Sequence, residues 1–572
     1  MGPKLEGGSA READVLVFGS GAAGLTAALV AAIEGLDVVL FEKSAFAGGT
    51  TATSGGSLWV PGAAPILQVT PDVDATLARR YLEGELDGWI RPDLLDAFLE
   101  SSAQAIDYLA RHSEVRFAHA TNPDYHADRP YGSATGHAIT VVPFDGRLLG
   151  SDFPRLKPPR EVFTVLGGMM VGRREIPLLV RPFSSLLAFR RTVSLLSRHA
   201  LDRLRYPRGT RLMIGNALVA RYLYSLRQRR VPVEYETQLI DLHRENGRIA
   251  GAIVETKGRR RLVLARRGVV LATGGIAHSR RLREELMASH PHEYSMADDG
   301  NTGDGVSAAR KIGGAVDRAI SNPAFWSPAS VRRRPDGSQT LWIHGHMDRG
   351  KPGLIAVDAS GRRFVNEADS YHDFVVAMYG ADRRKQAVPA YLICDHRFIR
   401  KYGIGLVRPL VSRITPFVRD GYLMRAGSIE SLAGVAGIDP TALRESIRTY
   451  NADARTGVDS EFGRGSRILN RFNGDPEQHP NPCMHPIEHP PYYAIRVWPC
   501  SIGTTVGLAT DADSRVLDDS GTPIQGLYAC GNDVSSVMRG FYPGPGATLG
   551  PAVVFAYRAA RHLASTGSPD SV

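Results

Sequence analysis

The order of apolar and polar stretches near the start of the chain predicts a strand, a helix and a second strand. Residues 13–18 (ADVLVF) are apolar and rich in β-branched side chains, and a glycine-rich turn (GSGAAG) follows them. Residues 25–35 (LTAALVAAIEG) have the small apolar side chains of a buried helix, and residues 36–43 (LDVVLFEK) form a second apolar run with a charged end. This pattern predicts a βαβ unit with parallel strands.

The turn between the first strand and the helix has the spacing of a dinucleotide-binding site. Gly19 permits a tight turn, Gly21 lets the backbone approach a pyrophosphate, and Gly24 lets the helix lie close to the strand. The unpaired N–H groups at the helix N-terminus favour the anion. Glu42 follows the second strand, 18 residues after Gly24, and is placed to bind ribose hydroxyls. A glycine-rich turn without a ligand would leave Glu42 unexplained.

A long loop of small residues identifies the dinucleotide as FAD. Residues 44–62 (SAFAGGTTATSGGSLWVPG) can follow an extended cofactor and bring backbone close to a flat ring, which a buried isoalloxazine needs and a nicotinamide seldom does. Residues 248–275 and 511–534 predict a β-meander and a hairpin whose last strands run into glycine. Such strand ends gather at the carboxyl edge of a parallel sheet, where ligands bind.

These features predict an α/β fold. At 572 residues and 43% hydrophobic content the chain can bury more than one core. We expect a discontinuous, Rossmann-like FAD-binding domain over 1–325 and 501–572, with an inserted α+β capping domain over 326–500. The predicted cofactor contacts are Gly19, Ser20, Gly21, Ala22, Ala23, Gly24, Glu42, Lys43, Gly49, Thr50, Thr51, Ser54, Gly55, Gly56, Ala272, Thr273, Gly274, Gly275, Asp304, Gly531, Asn532, Gly546, Ala547 and Leu549.

Residues 541–550 (FYPGPGATLG) combine a tyrosine with an irregular backbone just before an apolar helix. Proline and glycine fix a backbone that a plain linker would not need. The N–H of Gly546 lies where a helix opens and such groups are unpaired. Together with the hydroxyl of Tyr542 it makes two donors that could converge on one substrate oxygen.

Several stretches resemble one flavoprotein superfamily, which includes fumarate reductase and the 3-ketosteroid dehydrogenases. They are GSGAAGL, FEK, GGTTATSGG, VVLATGG, NTGDGVSAARKIGGAV and GLYACGND. FYPGPGATLG resembles the C-terminal motif of the 3-ketosteroid Δ1-dehydrogenases. Residues 361–380 resemble that family's block in which a tyrosine, here Tyr371, follows an NEA triplet, and PDYH resembles its N-terminal tyrosine site, here Tyr125.

The resemblance implies an FAD-dependent enzyme that introduces a C1–C2 double bond into ring A of a 3-ketosteroid. Tyr542 and Gly546 would polarise the C3 carbonyl. Tyr371 would remove the C2 proton, Tyr125 would support it, and FAD N5 would take the C1 hydride. A tyrosine is a weak base at its ordinary pKa of about 10, so Tyr371 would need partial ionisation or a relay.

Three alternatives are open. A Δ4-3-ketosteroid enzyme acting at C4–C5 usually pairs its tyrosine with a nearby serine, which the PGPG sequence speaks against. A fumarate- or urocanate-reductase-like enzyme would grip a carboxylate with arginines, for which Arg362 or Arg539 could serve. A flavin-binding protein without turnover is the third. The sequence leaves the preferred steroid, the electron acceptor (quinone-like or other) and the oligomeric state open.

The positive charge is concentrated in one segment. Residues 173–230 contain 14 arginines and two acids, an excess larger than the net +10 of the whole chain. Within a helical insertion at about 160–230, one apolar stripe runs between arginines: Phe183, Leu186, Leu187, Val193, Leu196, Ala200 and Leu204. Such a helix either lies on an anionic membrane surface or packs as a hairpin on the FAD domain.

Composition restricts the remaining possibilities. The chain has four cysteines, far apart in sequence: Cys394, Cys483, Cys500 and Cys530. Their spacing argues against a zinc ribbon or a disulfide scaffold. His344 and His346 form an HxH pair without an evident third ligand, so we expect no metal. With a polar N-terminus, no apolar run of about 18 residues and no nucleic-acid-binding module, we expect a cytoplasmic protein, attached at most to the inner face of the membrane.

Overall fold

A computed structural model describes residues 11–172, 175–345, 348–382, 387–409 and 413–566. Arg173, at the start of the basic segment, and His346, in the HxH pair, lie outside the described residues.

The strands are named in chain order as β1 (Arg11–Phe18), β2 (Val38–Phe41), β3 (Ser57–Trp59), β4 (Phe117–His119), β5 (Ala138–Val141), β6 (Phe144–Asp145), β7 (Thr164–Val165), β8 (Met169–Met170), β9 (Arg211–Leu212), β10 (Val233–Glu234), β11 (Thr237–Glu245), β12 (Arg248–Thr256), β13 (Arg259–Leu271), β14 (Tyr294–Ser295), β15 (Val316–Asp317), β16 (Ala324–Arg333), β17 (Gln339–Ile343), β18 (Leu354–Val357), β19 (Ala390–Cys394), β20 (Met424–Ala426), β21 (Tyr492–Thr504), β22 (Gly507–Leu508), β23 (Arg515–Leu517) and β24 (Pro523–Ala529).

The helices are α1 (Ala22–Ile33), α2 (Gly49–Ala52), α3 (Ala64–Leu67), α4 (Ala75–Glu85), α5 (Pro92–His112), α6 (Ile176–Val180), α7 (Leu186–Arg203), α8 (Ile214–Gln228), α9 (Arg280–Leu286), α10 (Asp304–Lys311), α11 (Tyr371–Ala381), α12 (His396–Tyr402), α13 (Thr415–Arg419), α14 (Ile429–Ala436), α15 (Pro440–Thr456), α16 (Ile468–Asn473) and α17 (Leu549–Ser565). Short 3₁₀ turns occur at Gly146–Arg155, Glu161–Phe163 and Gly531–Asp533.

The first sheet has the parallel core that the sequence predicts. Its order is β10-β2-β1-β13, with β24 parallel to the end of β13, and β12 and β11 complete the predicted meander on β13. Phe18 pairs with both Phe41 and Leu271, and Leu271 pairs with Ala529, so four strands end level. The residues after these strands therefore share one carboxyl edge.

Helices with apolar side chains on most faces cover this sheet. Helix α1 is buried along nearly its whole length and packs between α17 and α8. Helix α8 is also buried, with Leu218, Val219, Tyr222 and Leu223 in the core. The prediction treated residues 160–230 as one insertion, whereas α8 packs in the core beside α1 because apolar side chains surround it.

The peripheral part of the basic segment is α7. It buries Ala188, Thr192, Leu195 and His199. The predicted apolar stripe faces outward instead, and Leu186 and Leu187 are each 74% exposed. Within the described residues, no helix combines the length and the apolar character that crossing a membrane needs.

In chain order, the strands of a second sheet come between β13 and β24 of the first sheet. The order of the second sheet is β17-β16-β21-β19-β18, and β14 and β20 also pair with β21. Helices α14 and α15 pack against it around Ile355, Ile393 and Leu443. The mixed α/β fold is as predicted. The boundaries at 326 and 500 stay a prediction; β16 begins at Ala324 and β21 ends at Thr504.

Candidate active site

The turn after β1 is built so that only glycine fits at two of its positions. Gly19 has a φ of +102°, and a Cβ there would lie 2.2 Å from the carbonyl oxygen of Ala272. A Cβ on Gly24 would lie 1.8 Å from the carbonyl oxygen of Gly19. At Gly21 an added Cβ would meet only Thr51 Oγ1, at 3.6 Å. Helix α1 thus approaches β1 closely and leaves its N-terminus open, as a pyrophosphate site requires.

Glu42 lies at the same edge with an acceptor surface suited to a ribose. Its carboxylate accepts hydrogen bonds from Ser20 N at 3.0 Å, Ser20 Oγ at 2.5 Å and Ser44 N at 2.8 Å. Burial raises the pKa of Glu42, although these donors oppose the shift. A carboxylate has about four lone-pair sites, so further acceptor capacity is left for a ligand hydroxyl. These residues fit the adenosine half of FAD.

Other predicted cofactor residues are hydrogen-bonded to neighbouring residues at the same edge of the sheet. Thr50 Oγ1 accepts from Asp298 N at 2.8 Å, and Thr51 Oγ1 accepts from Ala22 N at 3.0 Å. Lys43 Nζ donates to Asp304 Oδ2 at 2.9 Å. Their direct contact with cofactor stays a prediction.

The predicted glycines differ in what surrounds them. No atom lies within 4 Å of a Cβ built on Gly49 or Gly55, so their surroundings are open. A Cβ on Gly56 would lie 2.5 Å from Gly215 N, so close packing against α8 explains that glycine without a ligand. Ser54 Oγ caps the same turn by accepting from Gly56 N at 3.1 Å.

A buried carboxylate that the prediction missed organises the strand ends. Asp533 accepts from Gly275 N at 2.8 Å and from Thr273 Oγ1 at 2.9 Å, and burial raises its pKa. It follows Asn532 in the Gly531–Asp533 turn and joins this turn to the end of β13. The remaining predicted positions lie close by in the chain or in the packing: Ala22 and Ala23 in α1, Ala272 and Gly274 after β13, and Ala547 and Leu549 at the start of α17, which packs on α1.

The three predicted tyrosines come together in a row. Tyr125 Oη donates to Tyr371 Oη at 2.8 Å. Burial raises the pKa of Tyr542, and Tyr371, the Thr548 side chain and the backbone N–H of Gly546, which lie close to its hydroxyl, oppose part of that shift. Each pair of the tyrosine rings has its centroids 5.4 Å apart. The predicted base, its supporting tyrosine and both predicted carbonyl donors thus lie together in one group.

The surroundings of this row keep the hydroxyls protonated at neutral pH. Burial raises the pKa of Tyr125, Tyr371 and Tyr542, and the two neighbouring tyrosines raise that of Tyr371 further. Tyr371 is the first residue of α11, whose N-cap is Ser370. The partial positive charge of a helix N-terminus favours a tyrosinate and opposes part of this shift.

The FYPGPG backbone is fixed by contacts on both sides. The Pro543 carbonyl accepts from Tyr125 N and from Tyr81 Oη, both at 2.8 Å. A Cβ on Gly546 would lie 2.5 Å from the carbonyl oxygen of Ser57, and Trp59 N donates to the carbonyl oxygen of Gly546. The glycine is required by the approach of β3.

A second layer of polar side chains supports the row, and sequence reasoning missed it. Asp124 accepts from Trp59 Nε1 at 3.0 Å and pairs with His137 Nδ1 at 2.8 Å. His126 lies between Glu85 and Asp373. The available signal was the charged residues directly beside Tyr125 in PDYHADRP.

The cations considered for a carboxylate substrate are placed elsewhere. Arg539 is buried and donates to Asp317 Oδ2 at 2.7 Å, while Arg362 lies in an exposed turn. His344 is buried between Asp348 and Ser330. Across the described ranges, no group of three or more His, Cys, Asp or Glu is placed to hold a metal.

The four cysteines are buried and free, and burial raises the pKa of Cys530.

Comparison with known proteins covers nearly the whole chain. The FAD binding domain family matches residues 14–549, which confirms the predicted cofactor. The 4-oxocyclohex-2-ene-1-carboxylate 5-dehydrogenase of Sinomonas cyclohexanicum is 36% identical over 97% of this chain and 94% of its own. The 3-oxosteroid 1-dehydrogenase of Mycobacterium tuberculosis is 34% identical over 97% and 98%.

A solved structure gives the same picture. The crystal structure of 3-ketosteroid Δ1-dehydrogenase from Sterolibacterium denitrificans in complex with 1,4-androstadiene-3,17-dione has a TM-score of 0.90 and 34% identity. The match covers 97% of this chain and 100% of that one.

Proposed function

Because the chain belongs to the FAD-dependent 3-oxosteroid 1-dehydrogenase family, we propose that it introduces the C1–C2 double bond into ring A of 3-ketosteroids. The observation that carries this proposal is the row of Tyr125, Tyr371 and Tyr542, in which Tyr125 donates to Tyr371 and Gly546 lies beside the Tyr542 hydroxyl. In a ketone, the oxygen and the α-carbon are separated by a single carbon. A carbonyl donor and a base that act on them must therefore be neighbours, as Tyr542 and Tyr371 are.

The Tyr542 hydroxyl and the Gly546 N–H bind the C3 carbonyl oxygen. Both donors belong to the same fixed FYPGPG backbone, so they would be held in place when negative charge develops on that oxygen. A bound carbonyl oxygen takes the place of the Tyr371 hydroxyl as the partner of Tyr542. That exchange leaves Tyr371 facing the α-carbon.

Tyr371, once it has released its own hydroxyl proton to solvent, accepts the C2 proton as the enolate forms. As long as Tyr125 itself stays protonated, the hydrogen bond that its hydroxyl donates to Tyr371 Oη stabilises the ionised form of Tyr371 and opposes the burial that raises its pKa. The position of Tyr371 at the start of α11 favours the same ionised form. Bound FAD supplies the acceptor for the C1 hydride, and the open edge at Gly21, Glu42 and Gly49 would hold it.

The test is product identification. The purified yellow protein is incubated with 4-androstene-3,17-dione and an artificial electron acceptor, and the steroid products are separated and identified. The proposal predicts the 1,4-diene. A product changed at C4–C5 would favour the Δ4 alternative, and no steroid turnover would contradict the proposal.

A second substrate class is favoured by one finding, the 36% identity to a dehydrogenase named for a monocyclic oxo acid. The row of tyrosines would act on any ketone with an α-proton, whatever the rest of the ring system. The same assay with 4-oxocyclohexanecarboxylate decides between the two. The steroid proposal predicts a much smaller kcat/KM for this acid than for 4-androstene-3,17-dione.

We also propose that the protein is cytoplasmic and that α7 holds it on the inner, anionic face of the membrane. The outward face of α7 and its flanks carry large exposed apolar side chains: Phe183 (84%), Leu186 (74%), Leu187 (74%), Leu201 (66%) and Leu204 (80%). Exposed arginines surround them, namely Arg181, Arg190, Arg203 and Arg205. Apolar side chains inserted among lipids with arginines at the headgroups suit such a surface. Steroid and a quinone-like electron acceptor would both be available there.

Vesicle sedimentation tests the membrane proposal. We expect binding to vesicles that contain phosphatidylglycerol and much weaker binding to pure phosphatidylcholine. Leu186→Asp with Leu187→Asp should abolish sedimentation. The control is Val458→Asp, since Val458 is similarly exposed, at 67%, but lies after α15. Equal sedimentation of all three proteins would contradict the proposal.

A further inference from the structure

A compact cluster of opposite charges lies directly behind the row of tyrosines. His126 Nδ1 lies 2.5 Å from Glu85 Oε2, and its Nε2 lies 2.8 Å from Asp373 Oδ2. With a carboxylate at each ring nitrogen, both nitrogens donate and the ring is an imidazolium. We propose that His126 is a positioning residue of the proposed dehydrogenase, holding Tyr125 against Tyr371 and neutralising Asp373 beside the base. The inference rests on the proposed function.

The geometric part of this role follows from where the three residues lie. Glu85 ends α4, and Asp373 lies in the first turn of α11. His126 directly follows Tyr125, while Asp373 comes two residues after Tyr371. The ion pair between His126 and Asp373 therefore joins the same two backbone segments that the 2.8 Å hydroxyl bond between the tyrosines joins, and the pair with Glu85 fixes the imidazole to α4. Removal of the imidazole would break the ion pair that joins the two segments.

The electrostatic part follows from the charge next to the tyrosines. The negative charge of Asp373 raises the pKa of Tyr125 and so opposes ionisation of the pair. The imidazolium offsets that effect. Burial alone would lower the pKa of His126, but Asp373 and Glu85 together raise it to about 10. The positive charge is therefore present through the neutral and mildly alkaline range.

Groups from each neighbouring element face the cluster. They are Tyr81 and Glu85 of α4, Arg129 of the loop that carries His126, His372 and Asp373 of α11, Asp369 before α11 with its partner Arg467, and Arg349. Arg129 NH1 binds the other oxygen of Glu85, at 2.7 Å. Glu85 thus has a cation on each oxygen. Asp373 Oδ2 has His126 as its cationic partner and accepts from Ser370 Oγ at 2.8 Å.

The test compares pH profiles of kcat in the holoenzyme. His126→Asn should lower kcat about 10- to 100-fold, leave KM for the steroid within about twofold, and move the rising limb of the profile to higher pH. Adding Asp373→Asn to it removes the uncompensated carboxylate and should bring the limb back towards the wild-type position. His396→Asn, a histidine whose ring nitrogen is bonded to Tyr493 Oη at 3.3 Å, is the control and should leave the profile unchanged.

The outcomes distinguish a failure of this inference from a failure of the proposed function on which it rests. A loss of kcat in His126→Asn with an unmoved limb, or a double variant identical to the single one, would overturn the positioning role. If His126→Asn does not retain FAD, Asp373→Asn alone is used for the test. The rising limb of its pH profile should lie at lower pH than that of the wild type. A rising limb at higher pH would overturn the positioning role. Wild-type protein without 1,4-diene product would overturn the proposed function itself.

Discussion

The predicted cofactor edge and the proposed substrate site are assembled in different ways. At the cofactor edge, Gly19, Gly21, Gly24 and Glu42 lie within one βαβ unit, and backbone geometry requires glycine at Gly19 and Gly24. At the substrate site, Tyr125, Tyr371 and Tyr542 come from three distant segments and meet only through tertiary packing. The first region depends on the absence of side chains and the second on the positions of hydroxyl groups. Substitutions in the first region should therefore remove FAD and folded protein, and substitutions in the second should lower kcat.

The largest effect is expected at the cofactor edge. Gly24→Val places a branched side chain where even a Cβ would lie 1.8 Å from the carbonyl oxygen of Gly19. Helix α1 cannot move away because α17 and α8 enclose it. We expect loss of bound FAD and of folded protein, measured by flavin absorbance and circular dichroism. A yellow, active Gly24→Val protein would contradict the close packing.

At the substrate site a substitution should remove chemistry and leave the holoenzyme intact. Tyr542→Phe keeps the ring packed against Phe325, whose centroid is 4.7 Å away, but removes the carbonyl donor. Loss of one such donor costs about 100- to 1,000-fold in kcat. FAD content should equal that of the wild type. A decrease in FAD content that parallels the loss of kcat would break the distinction between the two regions.

The pH dependence sharpens the distinction, because the proposed base, Tyr371, belongs to the proposed substrate site. Burial raises the pKa of Tyr371, and the base acts in its deprotonated form. The rate of steroid desaturation should therefore rise with pH from neutral to alkaline, by up to about tenfold per unit. FAD binding should stay constant over the same range. A rate that falls as pH rises, with FAD still bound, would exclude Tyr371 as the base.

The smallest effect is expected in the layer that supports the tyrosines. Trp59→Phe removes the bond from Nε1 to Asp124 but keeps an aromatic ring, and Asp124 retains His137 and Ser133 N as donors. We expect a loss of about 1 kcal/mol in the free energy of unfolding, measured by urea titration. A matched change, Trp89→Phe at a side chain that is 39% exposed, should cost less.

The sequence predicted the features that depend on local spacing. The parallel strands, the requirement for glycine at Gly19 and Gly24, and the β-meander were all readable from short patterns. The burial of α8 was not, because the arginines around it suggested a surface segment, whereas Arg221 donates to the Val142, Glu114 and Pro143 carbonyls inside the domain. The contacts of His126 with Glu85 and Asp373 were not predicted, because these two residues are 41 and 247 positions from it in the sequence.

The resemblance to a known family indicated the three tyrosines, and tertiary packing brings them together. No spacing in the chain indicates that Pro543 accepts from both Tyr81 and Tyr125. That contact depends on α4 and the segment after β4 meeting the C-terminal motif. Side-chain rows of this kind need the folded chain.

The most direct test of the central claim is anaerobic mixing of 4-androstene-3,17-dione with the wild type and with Tyr371→Phe, while the flavin absorbance is followed. We predict rapid bleaching of the wild-type flavin with formation of the 1,4-diene. In Tyr371→Phe bleaching should be slower by several orders of magnitude at unchanged FAD content. Bleaching at the wild-type rate in Tyr371→Phe would contradict the assignment of the base, and an oxidised flavin in the wild type would contradict steroid desaturation.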